Sequence, residues 1–140
     1  ELHERLIVPV MRALLLHAGG PPRLFDERLA ETNVGLRLNY YPPLTAEALQ
    51  RGCGRLLAHE DVDLFTLLPA PRSPGLQVLR RDTMKWVRVH APEGSIVLNI
   101  GDYGQRLFND KYPSTTHRVA PPKGQPLASQ PRTSFPLNVY

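Results

Sequence analysis

Apolar residues recur with two different periods along the 140-residue chain, and the change of period marks its first boundary. Leu6, Val10, Leu14 and Ala18 fall four apart, with Ala13 and Leu16 beside them, which predicts an amphipathic helix over 9–18. Pro9 suits a first helical turn, and Gly19-Gly20 before Pro21-Pro22 ends it. A second short helix is expected over 25–30. From Val34 the period becomes two. In 35–41, Leu36, Leu38 and Tyr40 alternate with Arg37, Asn39 and Tyr41, a strand stopped by Pro42-Pro43 that puts Asn39 and Tyr41 on one face.

Beyond that point, 45–50 reads as a helical turn or a loop, and 62–68 as a strand closed by Pro69. Segments 75–79 and 85–89 are separated by a polar link of hairpin length and are expected to pair antiparallel. Further strands are expected over 95–100, 115–119 and 133–140, the last two joined by a Pro-rich loop over 121–131. About seven or eight short strands, with helices only at the front, argue for an all-β sandwich or barrel. A parallel α/β sheet would lack its crossover helices, and no internal repeat suggests a solenoid. The chain divides into a helical lead-in over 1–33 and a β core over 34–140.

Composition narrows the partners. Seventeen Lys and Arg against thirteen Asp and Glu give a formal charge of +4, scattered rather than blocked, so nucleic acid is not an expected partner. The single Cys53 excludes an intrachain disulfide framework and a thiolate zinc site, and the cytoplasm is the expected compartment. The longest apolar stretch, 6–16, is interrupted by Pro9 and Arg12 and falls short of the ~18 residues of a membrane span; no membrane partner is expected. The opening Glu1-Leu2-His3-Glu4 has no initiator Met and reads as the middle of a helix, so the sequence is expected to be part of a longer chain.

Among five histidines, His59 stands out because Asp61 follows two residues later at the mouth of a strand, where both side chains share a face. Such a pair can take adjacent positions on a metal, with His117 the best third ligand from another strand. Two His and one carboxylate occupy one face of an octahedron and leave three positions open, the pattern of non-haem Fe(II) oxygenases. Two vacancies suit a chelating keto-acid and the third suits O2. Arg132 and Ser134, on one face of the last strand, could hold the keto-acid's distal carboxylate by a forked pair and a hydroxyl bond. Taken singly, these pairs are also what a hydrogen-bonded strand-end His, or a solvated edge-strand Arg, looks like.

In order along the chain stand Asn39-Tyr40-Tyr41-Pro42-Pro43, His59-Glu60-Asp61-Val62, Gly75-Leu76-Gln77-Val78, Asn99-Ile100-Gly101-Asp102, Ser114-Thr115-Thr116-His117-Arg118-Val119 and Arg132-Thr133-Ser134. This series resembles the 2-oxoglutarate and Fe(II)-dependent dioxygenases, in their isopenicillin N synthase-like branch, from about Gly35 to the C-terminus. The resemblance implies a double-stranded β-helix, or jelly roll, over 34–140. It implies Fe(II) held by His59, Asp61 and His117, and 2-oxoglutarate anchored by Arg132 and Ser134 with Asn39 and Tyr41 lining its site. The implied reaction uses O2, releases succinate and CO2, and hydroxylates a small organic molecule.

The chain departs from the family in the interval from His117 to Arg132, longer than in many plant members, and in the near absence of the family's N-terminal portion. Two alternatives stay open. Isopenicillin N synthase-like oxidases use no 2-oxoglutarate and hold the substrate's own carboxylate with the Arg-x-Ser pair; a β-sandwich interaction module without catalytic activity would bind no Fe(II). A zinc hydrolase is less favoured, because Glu60, the nearest general base, alternates away from the site. Trp86 and Val87 read as sheet packing, Asp102 as a turn residue and Cys53 as an incidental thiol. Phe65, Leu67 and Phe108 read equally as pocket wall or core. Neither substrate nor oligomeric state is legible.

Overall fold

The structure, a computed structural model, describes residues 1–70, 73–121 and 130–140. A π-wound turn, His3–Ile7, leads into helix α1 (Val8–Ala18), followed by α2 (Asp26–Leu29). The strands are β1 (Val34–Leu36), β2 (Asn39–Tyr41), β3 (Leu56–His59), β4 (Phe65–Pro69), β5 (Leu76–Arg80), β6 (Lys85–Arg88), β7 (Ile96–Ile100), β8 (His117–Val119), β9 (Arg132–Ser134) and β10 (Leu137–Val139). Two further short helices interrupt them, α3 (Ala46–Gln50) and α4 (Asp102–Leu107).

The strands form a sheet ordered β1-β10-β4-β7, a second ordered β3-β8-β5-β6, and the pair β2-β9. Every pairing is antiparallel. The period-two alternation of β4 and β10 gives the first sheet two unlike faces. Phe65, Leu67, Leu137 and Val139 point to one side, where Ile7, Met11, Leu15, Leu29 and Phe108 close a single apolar core over them. Each fully buried side chain of this kind contributes roughly 1.5–3 kcal/mol. Thr66, Leu68 and Asn138 take the opposite side and line a cavity of about 660 Å³. The second sheet faces the same cavity through Leu76, Val78, His117 and Val119.

The N-terminal helix ends as its sequence requires. Gly19 adopts a left-handed φ of 87°, and its N–H donates to Leu15 and Leu16 carbonyls. Arg12 ties α1 to α2 with two bonds to Asp26, of 2.9 and 2.6 Å. That hydrogen bonding holds the Asp26 carboxyl below its usual value and raises the guanidinium's. Among the described residues, no helix is long and apolar enough to cross a membrane.

Several expectations are corrected. The single strand over 35–41 is two strands in two sheets: β1 pairs with β10, and β2 pairs with β9. Its partner over 133–140 breaks at the same level, between Ser134 and Leu137. Pro136, which has no N–H, sits in that break and accepts from Arg37 N at 2.9 Å. The strand expected over 62–68 begins only at Phe65, because 61–64 is held by α4. Helices are not confined to the front: Thr45 caps α3 through its Oγ1, which accepts from Ala48 N at 3.1 Å, and Asp102 begins α4 rather than a turn. Most of the Pro-rich loop, 122–129, lies outside the described residues. Phe65, Leu67 and Phe108 belong to the core and not to the cavity wall.

Candidate metal centre and anion pocket

His59 closes β3 and His117 opens β8, and the two are cross-strand partners. A register shift makes them so: Leu56 pairs with Val119, yet three residues on, His59 meets His117 only two residues away. The extra residue is a β-bulge, a device that re-aims a side chain beside a site. Asp61 lies just beyond β3. One ligand atom from each of His59, Asp61 and His117 falls within 4.8 Å of the others, the arrangement a single metal ion requires.

Hydrogen bonds fix the two rings. His59 Nδ1 lies 2.9 Å from Leu57 O, and His117 Nδ1 lies 3.0 Å from Thr115 O. A carbonyl only accepts, so each neutral ring carries its proton on Nδ1 and offers the Nε2 lone pair to the centre. His59 Nε2 is 3.5 Å from Asp61 Oδ1, and His117 Nε2 is 3.9 Å from Oδ2. Asp61 Oδ2 also accepts from Thr66 Oγ1 at 2.7 Å and Asn99 Nδ2 at 2.9 Å. Glu60 takes no part in the cavity; its Oε1 accepts from Thr116 Oγ1 at 2.7 Å.

Helix α4 holds the segment that carries Asp61. Asp102 N donates to Asp61 O at 2.8 Å and Tyr103 N to Asp63 O at 3.1 Å, so amides that a helix start leaves unpaired grip this segment. The approach is close enough to require glycine. A Cβ on Gly101 would lie 2.3 Å from Asp63 Oδ1, and one on Gly104 would lie 2.0 Å from Leu64 O. Behind Asp61, Asp63 is fully buried, and its Oδ2 accepts from Asn138 Nδ2 at 2.7 Å. Burial pushes the Asp63 carboxyl above its ordinary value, against the opposing pull of the Asn138 and Thr66 bonds.

The β2-β9 pair furnishes the cavity's other end. Asn39 stands opposite Ser134, and Tyr41 opposite Arg132, so the four residues expected to act together do meet. The Arg132 side chain is 2% exposed, yet Nε and Nη1 have no hydrogen-bond partner among the described residues. Its guanidinium lies 5.3 Å from the centre of the Tyr41 ring, within cation–π range. Burial pulls its pKa below the ordinary arginine value, with Tyr41 opposing that shift. Asn39 Nδ2 reaches Ser134 Oγ at 3.5 Å.

A buried cation with unsatisfied donors fits an anion, because desolvating a charge is costly until a counter-charge arrives. Two imidazole nitrogens and a carboxylate oxygen fit a divalent metal of the Fe(II) type. Sequence reasoning missed Thr66, Asn99 and Asn138. Their signal was a polar residue at a cavity-facing position of an otherwise apolar strand.

The sheets and the cavity between them define the class as a double-stranded β-helix, and the comparisons give the family. The model of the 2OG-Fe(II) oxygenase superfamily matches residues 32–137, and the chain belongs to that superfamily, whose cofactors are Fe(II) and 2-oxoglutarate. It is 37% identical over 126 residues to the 2-oxoglutarate-Fe(II) type oxidoreductase ppzC of Metarhizium rileyi, covering 86% of this chain and 33% of that protein. It is 42% identical over 91 residues to 1-aminocyclopropane-1-carboxylate oxidase homolog 10 of Arabidopsis thaliana, covering 65% of this chain and 24% of the relative. These similarities put it in the isopenicillin N synthase-like branch. A full-length Neurospora crassa protein solved in complex with alpha-KG superposes with a TM-score of 0.85 at 32% identity, over 95% of this chain and 41% of that one. The chain spans about a third of the length of the ppzC relative.

Proposed function

We propose that this chain carries the catalytic core of a non-haem Fe(II) and 2-oxoglutarate-dependent dioxygenase that hydroxylates a small organic molecule. The observation that carries this reading is the pairing, in one cavity, of the His59–Asp61–His117 cluster with buried Arg132, whose Nε and Nη1 have no hydrogen-bond partner among the described residues. When bound, Fe(II) with 2-oxoglutarate and O2 supplies the oxidising chemistry: one oxygen atom enters the succinate formed with loss of CO2, and the other enters a substrate C–H bond.

His59 and His117, through Nε2, and Asp61, through its carboxylate, would hold the metal, as a two-histidine, one-carboxylate site does. Arg132 receives the distal carboxylate of 2-oxoglutarate at the nitrogens left without partners. Asn39, donating to Ser134 Oγ, leaves that hydroxyl's own proton free for the same carboxylate. Tyr41 supports the guanidinium with its ring face. Leu68, Leu76 and Val78 wall the cavity with apolar surface. On this reading 34–140 is the jelly-roll core and 1–33 a lead-in whose Ile7, Met11 and Leu15 seal its outer face.

A cavity of about 660 Å³ suits a small molecule. The Neurospora crassa relative has also been solved with thymine and with 5-formyluracil. The test is succinate formation by the full chain with Fe(II) and O2. The reading expects succinate only when 2-oxoglutarate is added; turnover of a substrate without 2-oxoglutarate, or failure to bind Fe(II), would contradict it.

A further inference from the structure

Asn138, Thr66 and Asn99 form one row across three neighbouring strands: Thr66 pairs with Asn138 of β10 on one side and with Asn99 of β7 on the other. The row belongs to a different sheet from the one holding His59 and His117, and it faces the cavity. Thr66 Oγ1 and Asn99 Nδ2 approach the same carboxylate oxygen, Asp61 Oδ2, at 2.7 and 2.9 Å. A carboxylate oxygen offers two in-plane lone pairs, so these donors fill Oδ2. Oδ1 has no such donor among the described residues and lies 3.5 Å from His59 Nε2.

We propose that Thr66 and Asn99 are positioning residues that make Asp61 a one-oxygen metal ligand, bound through Oδ1. The proposal rests on Asp61 being a ligand, as argued above. Its consequence is the number of vacancies. A carboxylate bound through both oxygens takes a fourth coordination position and leaves two, one fewer than a two-point chelate and O2 need together. Thr66 is itself steered from behind. Its hydroxyl has one proton, and Asn138 Nδ2 donates to Oγ1 at 2.9 Å while also donating to Asp63 Oδ2. The Thr66 proton has two carboxylate acceptors at 2.7 Å, Asp61 Oδ2 and Asp63 Oδ2, and Asn138 Nδ2, already donating to Asp63 Oδ2 at 2.7 Å, competes with Thr66 for the second of them.

The experiment loads the full chain with Mn(II) and counts exchangeable metal-bound waters by water-proton relaxation. Thr66→Val is expected to lose one water relative to the native protein, and Thr66→Ser, which keeps the hydroxyl, to regain it. Asn99→Ala removes the other donor on the same oxygen and is expected to lose one water as well, which keeps the test available should Thr66→Val fold poorly. A wild-type water count in both Thr66→Val and Asn99→Ala overturns the positioning role. Wild-type Mn(II) affinity in Asp61→Ala overturns the ligand assignment beneath it, so the two failures are distinguishable.

Discussion

At the histidine end of the cavity, the atoms of His59, His117 and Asp61 that do not face the centre have hydrogen-bond partners, whereas at the other end Arg132 is buried with Nε and Nη1 unpaired among the described residues. His59 and His117 spend Nδ1 on backbone carbonyls, and Asp61 spends Oδ2 on Thr66 and Asn99. Arg132, 2% exposed, keeps Nε and Nη1 without partners among the described residues and has its pKa depressed by burial. The difference matches two kinds of guest. A resident ion needs donors held rigidly before it arrives, since side chains that must reorganise lose affinity. A co-substrate consumed at every turnover needs a site whose missing counter-charge it alone supplies, and which is restored when it leaves.

The comparison breaks most severely at Asp61. Asp61→Ala should abolish iron-dependent succinate formation, because the several kcal/mol a metal supplies to a transition state correspond to roughly a thousand-fold or more; retained turnover would remove Asp61 from the ligand set. Arg132→Met should weaken 2-oxoglutarate binding by about ten- to a hundred-fold or more, as expected for a charge-assisted pair worth ~1.5–3 kcal/mol. The same substitution should leave the ligand-free protein at least as stable in thermal unfolding, since it removes a buried unpaired charge. A large loss of stability would mean that Arg132 holds the fold and not a ligand.

Gly104→Ala sharpens the contrast from the rigid side. Its Cβ would meet Leu64 O at 2.0 Å, so unfolding measurements should show a loss of about 1–3 kcal/mol, with weaker metal binding as α4 releases the Asp61 segment. Unchanged metal affinity in a destabilised variant would uncouple α4 from the site. Ser134→Ala should have the smallest effect, a several-fold rise in the 2-oxoglutarate dissociation constant from loss of one hydrogen bond of ~0.5–1.5 kcal/mol. Isothermal titration checks it.

The residues that meet in the cavity were legible where the chemistry demands an unusual side chain at a fixed spacing: His59 with Asp61, His117 far along the chain, and Arg132 with Ser134. That Asn39 and Tyr41 share one face, and Arg132 and Ser134 another, was legible from the alternation; that these two segments pair, as β2 and β9, was not. The sheet switches at Arg37-Leu38 and Phe135-Pro136 were hidden, since period two continues in the sequence while the hydrogen-bond partner changes. Helix α4 was hidden because Gly101-Asp102 reads locally as a turn; what it grips, the carbonyls of Asp61 and Asp63, is distant in sequence. Thr66 looked like an ordinary strand residue, and Asn99 stood in one of the segments that carry the family resemblance without a role assigned to it. Asn99 among Ile96, Val97, Leu98 and Ile100 was a visible polar intrusion, but only the register places it opposite Thr66 and beside Asp61.

The most direct measurement is an anaerobic titration of the Fe(II)-loaded full chain with 2-oxoglutarate, followed by the visible metal-to-ligand charge-transfer band. The account predicts a band that saturates at one 2-oxoglutarate per chain, is lost in His117→Ala and needs far more 2-oxoglutarate in Arg132→Met. An Fe(II)-loaded protein that stays featureless at saturating 2-oxoglutarate, or an Arg132→Met titration that overlays the native one, would contradict it.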